Sequence, residues 1–131
     1  MKSNALVRAG VTAIAVGLGI VGAVLLFAPD EAGRVLMPGA DRPVFVQLLG
    51  AALLGYAVAN WTARGAMLGG VYGRAIVTGN QMHMMIGAIV LVKYGVQAGS
   101  AHPLYWAVTV LYVCGATFFS YLMFFSSGLP R

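Results

Sequence analysis

Four long apolar runs alternate along the chain with short stretches rich in proline, glycine and charge. Crossing the hydrocarbon core of a bilayer takes about 20 residues at a rise of roughly 1.5 Å each. The runs lie at about 9–28, 44–62, 75–97 and 103–125. They predict an all-α polytopic membrane protein, one four-transmembrane-helix antiparallel bundle over residues 1–131, with short connections and no room for a soluble domain.

The third run is the unusual one. Between Arg74 and Lys93, RAIVTGNQMHMMIGAIVLVK carries Asn80, Gln81 and His83 near its centre. Polar groups at that depth cost free energy unless something pairs with them. What they meet is therefore the question on which the functional reading turns.

Composition strengthens the membrane assignment. The 131 residues are 60% hydrophobic and 8% charged, against about 25% charged in soluble domains, and the mean hydropathy is +0.87. The net charge of +5 comes from cations scattered singly. With no basic run and no aromatic-basic module, nucleic acid is excluded as a partner and the cations read as topology signals. The single cysteine, Cys114, excludes an internal disulfide and a cysteine-only metal cage. The charged start MKSNALVRAG resembles a signal peptide, but the apolar stretch after it is long and no clear small-x-small cleavage site closes it before Pro29, so a retained helix is expected.

Counting charges by side sets the orientation. If the N-terminus is cytoplasmic, the inner side carries Lys2, Arg8, Arg64, Arg74 and Arg131, and the outer side balances Arg34, Arg42 and Lys93 against Asp30, Glu31 and Asp41. The positive-inside rule then places both termini in the cytoplasm.

Each run adds a local expectation. In the first, Ala15, Gly19 and Ala23 form a small-xxx-small face with Gly17 beside it, suited to close helix packing within the chain or between two copies. Residues 29–43 hold all the acidic residues; Pro29, Asp30 and Glu31 suit the first turn of a short amphipathic helix ended by Pro38-Gly39, with Val35, Leu36 and Met37 as its apolar side at the membrane surface. Asp30 and Glu31 are adjacent and diverge around a helix, which argues against a catalytic carboxylate pair. In the second run Tyr56, Asn60 and Arg64 share a face, Gln47 lies nearly opposite, and Trp61 is placed as an interfacial anchor. The glycine-rich connection ARGAMLGGVYGR lacks the preceding strand and the Gly-Lys-Ser/Thr ending of a phosphate loop and reads as a tight turn. Pro103, Tyr105 and Trp106 open the fourth helix at an interface.

Counting outward from turn centres near Gly69-Gly70 and Ala98-Gly99 sorts the polar residues into two depths. An inner layer contains Thr12, Asn60, Asn80 and Thr117; a middle layer, close to the bilayer midplane, contains Tyr56, His83 and Cys114. Asn80, His83 and Gly87 share one helix face, as do Cys114, Thr117 and Tyr121. Two readings follow. The layers are interhelical hydrogen bonds that fix register, each contributing about 0.6 kcal/mol; or Tyr56, Asn60, Asn80, His83, Cys114 and Thr117 line a small polar pocket open to the cytoplasm, in which His83 binds or protonates a ligand. Soft donors around His83, namely Met82, Met84, Met85 and Cys114, would suit copper(I), but adjacent methionines point apart around a helix, so no metal is assigned. His102 is too distant in depth to join His83, and no cofactor is selected by any spacing.

A first helix ending in FAP, a Pro-Gly outer loop, LLGAALLGYAVANW in the second run and a histidine in the third make the chain similar to the small four-helix bacterial membrane proteins of the broad DoxX-like kind. The resemblance is architectural. It implies a multi-pass protein of the bacterial inner membrane and carries over no site residue.

Three functions compete. The leading expectation is a non-enzymatic accessory, scaffold or lipid/small-ligand-binding protein, whose partners are the lipid bilayer and either a second copy or a larger membrane complex. The alternative is a membrane enzyme or redox subunit acting on a quinone or isoprenoid, with His83 as the candidate catalytic acid/base and Tyr56 and Asn80 orienting. The third is an oligomeric transporter, disfavoured because no acidic residue lies in a span.

Overall fold

The computed structural model describes residues 2–36, 42–65, 71–99 and 101–125. They form α1 (Lys2–Phe27), α2 (Pro29–Leu36), α3 (Pro43–Ala63), α4 (Val71–Ala98) and α5 (Pro103–Phe125). All but α2 are long and apolar enough to cross a membrane. The chain is a multi-pass membrane protein built as a four-helix bundle with one short extra helix.

The starts of α3 and α5 match the expected spans to within a residue, because proline marks both. Pro43 occupies the first turn of α3 after an extended Arg42. At α5, His102 precedes Pro103 and accepts twice: its carbonyl from the Tyr105 N–H at 2.9 Å and its Nδ1 from the Leu104 N–H at 3.2 Å. α4 ends at Gly99, whose φ of +67° is the left-handed stop that glycine adopts without strain. By contrast, α1 and α4 begin at Lys2 and Val71, well before the apolar runs at about 9 and 75. Hydropathy marks where lipid begins, whereas backbone hydrogen bonding carries a helix on into the interface. The proposed Pro38-Gly39 stop and Gly69-Gly70 turn centre lie outside the described residues.

Two helix pairs dominate the packing: α1 against α3, and α4 against α5. Where α1 crosses α3 the backbones touch. A Cβ added to Gly22 would lie 2.9 Å from the Gly50 carbonyl oxygen, and one on Gly50 would lie 2.8 Å from that of Gly22. The expected small-residue face is used inside the chain: Ala15 is buried, Gly19 faces Ala57 of α3, and Gly17 faces Leu111 of α5, while Ala23 is only partly buried. Strict i+4 spacing drifts around a helix of 3.6 residues per turn, so the buried stripe of α1 runs instead through Val11, Ala15, Leu18, Gly22 and Leu25. Gly22 was the position that the four-residue count passed over.

α4 and α5 interlock large side chains with glycines. Met84 packs on Gly115, and the Tyr112 ring occupies the space a side chain on Gly87 would need. The core is continuous through Leu18, Leu53, Met84, Phe119 and Leu122. Outside it, apolar side chains such as Ile20, Leu48, Val58, Ile89 and Val110 are exposed on every long helix, as expected where lipid replaces water as the solvent.

α2 packs on α1, α3 and α5 where α1 ends and α3 begins. Asp30 and Glu31 sit in its first turn and Arg34 in its last, with Arg34 Nη2 3.6 Å from Glu31 Oε1 at the surface. Ala32 and Gly33 are buried, and Val35 and Leu36 partly so, which makes α2 a cap over that end of the bundle. If backbone contact at Gly22 and Gly50 holds α1 on α3, Gly50→Ala should destabilise the protein by about 1–3 kcal/mol. Gly55→Ala, whose Cβ would meet nothing within 4 Å, should leave stability unchanged, and thermal unfolding in lipid nanodiscs measures both.

Candidate functional site

α3 and α4 touch far less closely than the two main pairs do. They are joined at two neighbouring levels. At the first, Asn60 Nδ2 donates to Asn80 Oδ1 at 2.7 Å and Asn80 Nδ2 donates to Asn60 Oδ1 at 3.0 Å. Asn80 Nδ2 also donates to the Ile76 carbonyl at 2.9 Å. Both amides are buried, Asn60 completely, so each supplies what the other would otherwise lack.

One turn towards α2, Tyr56 of α3 stacks on His83 of α4 with ring centroids 4.4 Å apart and 14° between planes. His83 Nε2 lies 3.0 Å from the Tyr112 hydroxyl of α5. If the phenol donates, Nε2 accepts and the ring proton sits on Nδ1, and the reverse holds for the other tautomer. Neither His83 Nδ1 nor the Tyr56 hydroxyl makes a hydrogen bond among the described residues. The pair therefore offers one site of each helix to a ligand.

Beside this cluster is a cavity of about 560 Å³. α3 lines it with Leu49, Leu53 and Tyr56; α4 with Gly79, Met82, His83, Ile86 and Val90; the far end is closed by Val21 and Leu25 of α1, Leu36 of α2 and Val108 of α5. Its side-chain polar groups are confined to Tyr56, His83 and Tyr112, at one end. Leu49, Met82, Ile86 and Val90 are exposed at its rim, so it opens between α3 and α4 onto the apolar outer surface.

Several expected members fall elsewhere. Thr12 and Thr117 were placed beside Asn60 and Asn80, but Thr12 Oγ1 donates to the Arg8 carbonyl at 2.7 Å and Thr117 Oγ1 to the Val113 carbonyl at 2.9 Å. A threonine hydroxyl bonded to its own helix needs no partner across the bundle. Cys114, expected level with His83, is exposed, as are Thr117 and Tyr121. That polar face of α5 points outward, and its buried face runs through Tyr105, Thr109, Tyr112, Ala116 and Phe119. Tyr112 thus takes the place assigned to Cys114, at nearly the same depth but on the opposite side of the helix. The signal for it was the three-and-four spacing of those buried residues, together with Gly87 opposite an aromatic ring.

Of the six residues expected to line one pocket, Tyr56 and His83 line the cavity, whereas Asn60, Asn80, Cys114 and Thr117 do not. The cavity reaches from Gly79, beside the Asn60–Asn80 level, past His83 towards α2. The soft donors do not converge on His83: Met84 is buried against Gly115, Met82 is on the cavity rim, and Met85 and Cys114 are exposed. Among the described residues no three His, Cys, Asp or Glu side chains are grouped to hold a metal ion. Tyr105, expected at an interface, is buried and donates to the Leu91 carbonyl at 2.6 Å, while Trp106 beside it is exposed. Trp61 at the other end is exposed too, with the Arg64 guanidinium 3.8 Å above its ring.

Comparison of the chain with protein-family models, with curated proteins and with solved structures finds no match. The geometry is therefore the ground for a functional reading. Because the two asparagines satisfy each other through two hydrogen bonds, Asn60→Leu alone should destabilise the protein by about 1 kcal/mol, two interhelical bonds at about 0.6 kcal/mol each. Asn60→Leu with Asn80→Leu should cost less than the sum of the single changes, which a double-mutant cycle on unfolding in nanodiscs measures.

Proposed function

We propose that the protein binds a lipid-soluble small molecule that enters sideways from the bilayer and sets a hydrogen-bonding head group against His83, Tyr56 and Tyr112. The observation that carries this reading is the cavity of about 560 Å³ among membrane-spanning helices, apolar except at one end. Ligand sites have this form: a largely hydrophobic hollow of roughly 300–1,000 Å³ with a few convergent polar groups. A bundle serving only as a scaffold has no need of the space, since close packing of the same helices would gain dispersion contacts. Tyr56 and His83 present a flat aromatic stack that suits a planar head group, and the free ring nitrogen and phenol give it two hydrogen-bonding positions.

In this reading the end of the bundle at which α1 begins and α5 ends faces the cytoplasm of a bacterium, as the positive-inside rule applied to Lys2, Arg8, Arg64, Arg74 and Arg131 favours. The cavity then belongs to the outer half of the inner membrane, under α2. The DoxX-like resemblance supports the bundle architecture of such a protein and adds nothing to the ligand.

A second reading is favoured by one specific contact. The His83–Tyr112 hydrogen bond couples an imidazole to a phenol at the head-group position, an arrangement able to give and take a proton from a quinone or isoprenoid substrate. Binding is common to both readings and turnover separates them.

The test is binding of decyl-benzoquinone, with decanol as a control, to the purified protein in nanodiscs. His83→Leu and Tyr56→Phe should each weaken the quinone about tenfold, and Cys114→Ser should not. Equal affinity for quinone and decanol, unchanged in the His83 and Tyr56 variants, would contradict a head-group site. Proton-coupled reduction of the quinone by an added donor, lost in Tyr112→Phe, would favour the enzymatic reading.

A further inference from the structure

A second apolar groove, of about 410 Å³, lies between α1 and α5 beneath α2. It is lined among others by Gly17, Ile20 and Val24 of α1, Leu104 and Leu111 of α5, and Val35 of α2. The helix pairs α1/α3 and α4/α5 face each other across two sparsely packed seams, α3 with α4 and α1 with α5. These seams are on opposite sides of the bundle, and each contains a void.

Val21, Leu36 and Val108 line both voids. They come one each from α1, α2 and α5, and all three are only partly buried. At these positions a single layer of aliphatic side chains separates the cavity from the groove. Such side chains make no hydrogen bonds that would have to break, and their rotamers change on a fast timescale. Val108 lies one turn from Tyr112 towards α2 and Leu36 belongs to α2, so a chain extended from the head-group site towards α2 runs into this layer.

We propose that the two voids form one transverse binding slot for an elongated amphiphile, whose hydrocarbon tail passes between Val21, Leu36 and Val108 into the α1–α5 groove. The inference rests on the head-group site proposed above. It narrows the ligand class to a polar, planar head carrying a long isoprenoid or acyl tail, and it gives α2 the role of a roof over the tail. Because bilayer hydrocarbon is as apolar as the slot, the tail adds little affinity through burial. Its contribution is to direction, so the test must read position.

The probe is a benzoquinone with a ten-carbon tail ending in a photoreactive diazirine, irradiated on the wild-type protein in nanodiscs and mapped by peptide mass spectrometry. Excess tail-free quinone distinguishes tails anchored by their heads from random collisions out of the lipid. The expected result is displaceable adducts on Ile20, Val24, Leu104 or Leu111. Val108→Trp, which fills the dividing layer, should lower their yield about tenfold and shift adducts to Leu49 and Ile86. Displaceable adducts confined to Leu49, Ile86 and Val90 in the wild type would overturn the slot while leaving the head-group site intact, because the tail would then leave by the opening through which it entered. Adducts that tail-free quinone does not reduce would overturn both.

Discussion

Within a bilayer a buried side-chain amide must find its partners inside the protein, and here one reciprocal pair meets that demand. Asn60 and Asn80 each donate to the other and accept from the other, so neither buried amide is without a partner. The pair does more than avoid a penalty. It joins two helices that otherwise touch little, and its level fixes which residues of α3 and α4 stand opposite one another. With Asn60 bonded to Asn80, Tyr56 comes to stack on His83 one turn away.

The cavity follows from that join together with the distribution of glycine. Gly22 and Gly50 let α1 and α3 pack backbone to backbone, and Gly87 and Gly115 let α4 and α5 interlock with Tyr112 and Met84. The remaining seams touch less: α1 meets α5 where Phe118 and Leu111 pack on Gly10 and Gly17, and α3 and α4 meet chiefly at the asparagines. Held at the asparagine level and capped by α2, they leave hollows between the pairs, with the only polar groups of the larger hollow adjoining the asparagines. A polar contact that fixes register thus also sets where a head group could be received.

The spans, the short α2 and the common depth of Asn60 with Asn80 and of Tyr56 with His83 were legible in the sequence. Apolar length reports the surrounding solvent directly, and a rise of 1.5 Å per residue turns position into depth. Rotation about each helix axis was less legible. Cys114 and Thr117 looked like members of the site because they are polar, yet weakly polar side chains are tolerated on an outer surface when, like Thr117, they bond to their own helix. Tyr112 is one of several aromatics along α5, and only the rotation of the helix shows that its hydroxyl reaches His83. The shape of the cavity was not legible, since empty space depends on how several side chains fit together; of the residues that polarity grouped into one pocket, Tyr56 and His83 line it.

The most direct test is whether the hollow beside His83 is reached from lipid and closed to water. Gly79 lines it, and a Cβ there meets nothing within 4 Å, so a nitroxide label can be placed at Gly79→Cys in a Cys114→Ala background. Gly65, exposed near the end of α3, serves as the reference position. In nanodiscs the label at 79 is expected to relax strongly with oxygen, which concentrates in the bilayer, and weakly with a water-soluble nickel chelate. Nickel relaxation at 79 as strong as at 65 would show a water-filled pocket and contradict a lipid-fed site.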